Sequence, residues 1–441
     1  MVILLLVFLI FVSTQKRIKD PISKVFIWTF FILWVVQGVL SQFGIYDNYI
    51  PKARTIVLVS IHLLFFYIGF NKNSIKLDVN KGNSRNSLVY LREQENRICK
   101  NPVFILILLL SFLYVISIFS KYLGAILFAQ SISDARADNQ LQELYGNAYY
   151  YINMLVLVPM ATITTFLFAF KTFEKRDWMW LVMGLFLFMY KSLGGGRLGF
   201  LNIFIAIVFV GIYLTIQTKK DGSFIKRYSR FLIMGVLAIG LYFLIGLVTA
   251  GRKGDVSMSK HAFEENQETT NMHFYNYYVT PLVAFDYSVN NNLVEKQGGF
   301  HYGALTFNCV EEAFYIVLHK LGFNYNRPIA EYGDLIQENY INLGSMNWNA
   351  LYTWCNFFYF DLGVFGLILF PFLIGLLVRK TINYFYKKSN VFSASLLVLA
   401  YYVITMSMVS FYFNGFSSFF TLILLLFLSN KSEKMISHQN K

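Results

Sequence analysis

Cations able to hold an anion, and acids able to move a proton, gather in a few stretches of an otherwise apolar chain. In KSLGGGR, Lys191 is followed by Gly194, Gly195, Gly196 and Arg197, and a long apolar run begins immediately after. A helix starting there points the positive end of its dipole at the turn, and glycine lets a ligand approach the backbone closely. The guanidinium adds five fixed donors. Together these suit a phosphate or pyrophosphate at the lipid–water boundary, although an arginine at that depth can also snorkel to headgroups. TAGRKGD places Arg252 after another apolar run, and SISDARADNQ contains Arg136.

The candidate proton acceptors are His301, Glu311, Glu312, His319 and Asp361, which sequence alone does not rank. ALTFNCVEEAFYIVLHKLGF (304–323) reads as an amphipathic helix. Val310, Phe314, Val317 and Leu321 share one face, and Glu312, Tyr315 and His319 share another. Gly322 is a C-terminal stop. Such a helix either lies in the membrane interface or turns its acids toward a substrate cavity. His261, His273, His301 and His319 lack metal-ligand spacing, and no D-x-D pair occurs, so neither a metal nor a cofactor is expected.

The elements that position these groups are membrane helices. Of 441 residues, 56% are hydrophobic and 14% charged, against about 25% charged in soluble domains. Apolar runs recur along the whole chain at lengths that span a bilayer. The expected fold is an all-α polytopic membrane protein of about eleven transmembrane helices, read at 1–13, 25–45, 55–70, 103–120, 151–170, 178–193, 198–216, 231–250, 361–378, 393–413 and 416–429. The first run lacks a basic leader and a small-residue cleavage site, so it reads as a span rather than a secretory signal. The expected organisation is helices one to eight in 1–250, a large extracytoplasmic loop with amphipathic helices in 251–350, helices nine to eleven in 351–429, and a tail at 430–441.

Alternate loops carry 26 of the 38 Lys and Arg residues. The positive-inside rule puts that set in the cytoplasm, with the N-terminus outside and the C-terminus inside. The net charge of +14 is thus a topology signal, and no nucleic-acid partner is implied. Lys191, Arg197, Arg252 and Asp361 then fall at the outer ends of helices. The membrane midplane is nearly free of charge, and His62 in the third span reads as a packed or cavity-lining histidine rather than a ligand. Cys99, Cys309 and Cys355 show no metal or redox spacing. Cys309 and Cys355 share the outer side and could pair, but three separate thiols is the preferred reading.

No cytoplasmic loop is long enough for a nucleotide-binding domain, and neither a P-loop nor a Rossmann glycine pattern occurs. ATP and nucleotide-sugars are therefore not expected as substrates. A lipid-linked phosphate sits at the depth of these cations, and Trp348, Trp354 and many tyrosines offer either stacking faces for sugars or an interfacial belt.

The glycine–arginine turn, the late outer loop and NALYTWCNFFYFDLGVFGLILFPFLIGLL (349–377) resemble the Wzy-type O-antigen and oligosaccharide-repeat-unit polymerases. In that family a polar, aromatic stretch leads into D-x-G-x-x-G at a late span. Here those residues are Asp361, Gly363 and Gly366, preceded by Asn349, Tyr352 and Thr353. The resemblance implies a GT-C-like membrane glycosyltransferase of the bacterial cytoplasmic membrane. It would act without metal or cofactor on undecaprenyl-pyrophosphate-linked glycans, in contact with membrane lipid, and form O-antigen or capsule by inversion. A chain-length regulator and a flippase are the implied protein partners. Arg197, Arg252, Arg136 and Lys191, with Gly194 to Gly196, would grip the leaving pyrophosphate. Asp361 would act on the acceptor or simply cap its own span. Two alternatives share features with this reading: an O-antigen ligase, which uses the same donor, and a lipid-linked oligosaccharide flippase. The empty midplane and the lack of two similar halves disfavour the transporter.

Overall fold

The computed structural model describes all residues except Met1, 15–17, 19, 73–82, 129–146, 194–197, 219–227, 241–259, 324, 339–340, 343–346, 349–351, 412–414 and 440–441. Arg136, Gly194, Gly195, Gly196, Arg197 and Arg252 lie outside the described residues. The described chain is helical apart from turns and one short antiparallel pairing, β1 (Ile341–Asn342) with β2 (Asn347–Trp348).

The first helices are α1 (Val2–Thr14), α2 (Pro21–Leu40), α3 (Ala53–Lys72), α4 (Asn83–Cys99) and α5 (Pro102–Phe128). A π-helical turn, Asn153–Leu157, joins α6 (Asn147–Ile152) to α7 (Val158–Phe173). Next come α8 (Trp178–Ser192), α9 (Leu198–Gln217) and α10 (Tyr228–Gly240). The later helices are α11 (Lys260–Asn290), α12 (Leu293–Lys296), α13 (Asn308–Lys320), α14 (Pro328–Glu338), α15 (Trp354–Lys388), α16 (Val391–Met406) and α17 (Phe416–Gln439).

Each of the eleven apolar runs falls on helix over most of its described part, although 41–44 and 407–411 lie beyond the ends of α2 and α16. Among the described residues six are long and apolar enough to cross a membrane: Pro21–Leu40, Ala53–Lys72, Pro102–Lys121, Ala148–Phe173, Gly199–Gln217 and Trp354–Lys388. The other five apolar helices are shorter. The chain is a membrane protein on this ground.

The 251–350 segment, read as a loop with amphipathic helices, is helical over much of its described part. It contains the 31-residue α11, whose second half is buried from Val279 to Asp286. The polar residues spaced along α11 bind the backbone of α2. Tyr278 donates to the Leu33 carbonyl at 2.6 Å and Tyr275 to the Leu40 carbonyl at 3.0 Å. Gln37 returns the contact, donating to the carbonyls of Tyr278 at 2.5 Å and Met408 at 2.9 Å. These bonds add to an apolar contact, because Val279, Leu282, Val283, Phe285 and Val289 of α11 are buried as well.

The chain divides into two compact units. The first comprises 1–78, 272–384 and 403–419. Its helices α3 and α15 cross at glycines. A Cβ on Gly69 would collide with the Phe372 backbone, and one on Gly375 with the Phe66 carbonyl. Small residues let two membrane helices approach to backbone contact. At one end of the unit Asp20 caps α2 through the Ser23 amide at 2.8 Å and accepts from Arg379 Nη1 at 2.6 Å. Both ionic side chains are buried, so each satisfies a charge the other would leave costly.

The second unit comprises 79–271, 385–402 and 420–441. Lys171 belongs to α7 rather than to a loop, and it is buried. Its ammonium sits 2.7 Å from both Glu95 and Asp177, and Asp177 also caps α8 through the Trp180 amide. Arg92 pairs with Glu174 at 2.7 Å. Cys99, Cys309 and Cys355 are all free, so the optional Cys309–Cys355 pairing is not made.

Candidate functional site

The D-x-G-x-x-G residues sit at a break within α15. Leu362 and Gly363 leave helical geometry, with Gly363 at φ +60° and ψ −138°. That conformation is closed to ordinary L residues. Helical residues before the break lose their partners four residues on, and their carbonyls are taken by another segment. His301 N–H donates to the Phe360 carbonyl at 3.1 Å and Tyr302 N–H to the Asp361 carbonyl at 3.0 Å. A loop bent through Gly298, Gly299, Tyr302 and Gly303, all at positive φ, delivers these amides.

Asp361 completes the clasp. Its fully buried carboxylate accepts the Leu305 amide at 3.0 Å and the Thr306 amide at 2.7 Å. It therefore does not cap the start of its own span: α15 begins seven residues earlier, at Trp354, and the capped turn belongs to the preceding loop. Gly366 has no room for a Cβ against the Phe358 carbonyl, so each of the three motif residues has a role in the break.

His301 is carried on the loop that this clasp holds. It is half-buried, and its Nε2 is buried without a hydrogen-bond partner among the described residues. Burial pushes the imidazole below its ordinary pKa, against the opposing pull of the Asp361 and Glu331 carboxylates. A neutral imidazole with an unengaged ring nitrogen can take a proton.

The other proton-acceptor candidates are engaged. Glu311 is forked by Arg327, with Nε at 3.1 Å and Nη2 at 2.8 Å from Oε2, and it accepts the Tyr325 hydroxyl at 2.6 Å. Burial and this carboxylate push the Tyr325 hydroxyl up to about 12. The Arg327 guanidinium also lies 4.9 Å from the Tyr315 ring centre. Glu312 accepts the Phe416 amide at 2.8 Å, at the N-terminus of α17, where a carboxylate complements the helix dipole. His319 stacks on Tyr315 at 5.4 Å.

The opposite face of α13 is uncovered: Phe314, Val317 and Leu321 are each more than half exposed. Gly322 ends the helix at φ +86°, with its amide on the His319 carbonyl and that of Phe323 on the Leu318 carbonyl.

Lys191 lies at the end of α8, its ammonium 5.2 Å from the Tyr190 ring centre. Its backbone meets Gly199, where an added Cβ would come within 2.8 Å of the Lys191 carbonyl. α8 and α9 thus come into backbone contact between Lys191 and Gly199. His62 is packed, as expected. The Trp354 indole N–H donates to its Nε2 at 2.7 Å and Cys355 Sγ lies 3.3 Å from Nδ1. An indole only donates, so Nε2 carries no proton.

Sequence reasoning passed over Asp286. It is fully buried in α11, takes the Lys52 amide on Oδ1 at 2.7 Å, and leaves Oδ2 without a partner among the described residues. The signal was present as a single acid inside the apolar run of 279–289. Among the described residues, no three His, Cys, Asp or Glu side chains converge as a metal site. No protein-family model, curated protein or solved structure matches this chain.

Proposed function

We propose that the chain is a GT-C-like membrane glycosyltransferase with eleven crossings, which polymerises oligosaccharide repeat units carried on undecaprenyl pyrophosphate. The observation that carries this reading is His301, a half-buried imidazole with an unengaged ring nitrogen. It is held where the D-x-G-x-x-G residues break a membrane-spanning helix. In this account the hydroxyl of one carrier-linked unit attacks the anomeric carbon of a growing glycan. The bond from that carbon to the pyrophosphate oxygen breaks, inverting the centre. His301 takes the hydroxyl proton, and the carrier pyrophosphate leaves with the bonding electrons.

The glycosyl–pyrophosphate bond supplies the energy, so the step needs no ATP, metal or cofactor. Arg197, Arg252, Arg136 and Lys191 keep the pyrophosphate-binding role that the sequence suggests. The N-terminus lies outside the bacterial cytoplasmic membrane and the C-terminus in the cytoplasm, as the basic loops direct. A flippase supplies the units and a chain-length regulator sets the product, an O-antigen or capsular polysaccharide.

The test is purified full-length protein mixed with lipid-linked repeat units. A ladder spaced by one unit supports the proposal. Transfer only onto a lipid core identifies a ligase, and passage across vesicles without a new glycosidic bond identifies a transporter; either outcome overturns it.

A further inference from the structure

A second site lies in the unit formed by 79–271, 385–402 and 420–441. A groove of about 1100 Å³ runs between α5, the π turn with α7, and α17. Its size exceeds the usual 300–1,000 Å³ of drug-sized sites, which favours an extended ligand over a compact one.

The groove is two-natured. One end is lined by Gln94, Arg97, Asn101, Lys431 and Ser432. Among the described residues, Arg97 and Lys431 are the only charged ones lining the groove, and none is an acid. Both cations are exposed, and neither is in an ion pair among the described residues. The remaining wall is almost entirely apolar. Along α5 it follows one helix face through Phe104, Ile107, Leu110 and Tyr114. The π turn forms part of the opposite wall with Leu155, Val156 and Leu157. Such turns are rare and occur frequently at functional sites.

Length identifies the ligand class. From Val103 to Tyr114 the α5 wall runs about 17 Å at 1.5 Å per residue. That is close to half of a ~30 Å hydrocarbon core, the depth of one leaflet. An acyl chain of a bilayer lipid occupies one leaflet, whereas a long polyprenyl chain exceeds it. The side open to lipid is consistent: α5 is the least buried of the six long apolar helices, and Val103 and Leu110 are more than half exposed.

We propose that this groove binds an anionic phospholipid, its phosphate between Arg97 and Lys431 and its acyl chains along α5 and the π turn. Basic pockets between membrane helices attract anionic headgroups at about 1 kcal/mol per cation near the surface. The site is separate from the glycosyl-transfer proposal and stands without it.

The experiment titrates delipidated full-length protein with phosphatidylglycerol and with phosphatidylcholine of the same acyl chains, reading bound lipid by native mass spectrometry. Wild type should prefer phosphatidylglycerol. The double variant Arg97→Gln, Lys431→Gln should lose roughly 30-fold in affinity for it and leave phosphatidylcholine binding unchanged. Leu110→Trp, which fills the apolar channel without altering charge, should weaken both lipids. All three positions are exposed, so folding should hold, and an unchanged thermal midpoint checks this. Equal affinity for the two lipids in wild type overturns the proposal. So does a double variant that still prefers phosphatidylglycerol, a Leu110→Trp variant that binds both lipids unchanged, or undecaprenyl phosphate displacing phosphatidylglycerol at equimolar concentration.

Discussion

The Asp361 carboxylate accepts the backbone amide of Thr306 at 2.7 Å, joining positions 55 residues apart in the chain. Its other oxygen holds the Leu305 amide. One buried acid thus fixes the loop that carries His301. Replacing it should loosen that loop in proportion to the acceptors lost. Asp361→Asn retains one acceptor and turns a donor toward the second amide, and Asp361→Ala removes both. Each buried amide left unsatisfied costs about 1–3 kcal/mol. Thermal unfolding in detergent should place the midpoints in the order wild type, Asn, Ala. Three equal midpoints would mean the carboxylate does not hold the turn.

Gly363 is the second requirement of the clasp. At φ +60°, a side chain there is strained by about 1–3 kcal/mol, and its Cβ would stand 3.1 Å from the Phe300 ring. Gly363→Ala should therefore lower both stability and turnover. Gly235 is the control: an added Cβ there would have nothing within 4 Å, and its φ is not positive. Gly235→Ala should be neutral or slightly stabilising by helix propensity. Similar effects from the two substitutions in thermal unfolding would show that the break is not strained.

The apolar helices were legible because each is a continuous hydrophobic run. The break in α15 was legible only as a motif. Reading Asp361, Gly363 and Gly366 as the start of a span misplaces them by seven residues, because the partners of Asp361 lie far back in the chain and no local pattern reveals them. Lys171 falls just past the run read at 151–170, and its partner Glu95 lies far back in the chain on α4. The polar first half of α11 hid a packed helix, whose buried second half carries Val279, Leu282, Val283, Phe285 and Val289 and which is tied to α2 by Tyr275 and Tyr278. Among the base candidates, residue type made Glu311 and Glu312 look equal to His301. Only the positions of Arg327 and the Phe416 amide separate them.

Glu311 and Glu312 should accordingly behave as structural residues. Glu311→Gln weakens a part-buried fork to Arg327, and Glu312→Gln removes a charge from a helix N-terminus, which is worth about 0.3–1 kcal/mol at exposed sites. Both variants should unfold at lower temperature and retain turnover within about tenfold of wild type, well short of the 10²–10⁴-fold contribution of a general base. Ladder synthesis by each purified variant, normalised to folded protein, is the check. A near-total loss in a stable Glu312→Gln protein would transfer the base role to that residue.

The pH dependence has a definite sign. Burial lowers the His301 pKa from its ordinary 6.5, so the unfolded chain binds this proton more readily than the folded one. The contribution to stability is complete above about pH 6.5 and falls as pH drops toward the folded pKa. The same protonation disables the base. The kcat/KM profile should be flat above about pH 6.5 and should fall on the acid side with a midpoint below it. A midpoint well above about 6.5 would exclude His301 as the group being titrated.

The decisive measurement is the turnover of His301→Gln in the purified polymerisation assay. Glutamine keeps a polar side chain of similar reach, and the backbone amide that binds Phe360 is untouched, so the thermal midpoint should hold. The account predicts a fall on the order of 10²-fold or more in the rate of ladder extension. A folded His301→Gln protein that builds the full ladder at the wild-type rate would contradict it.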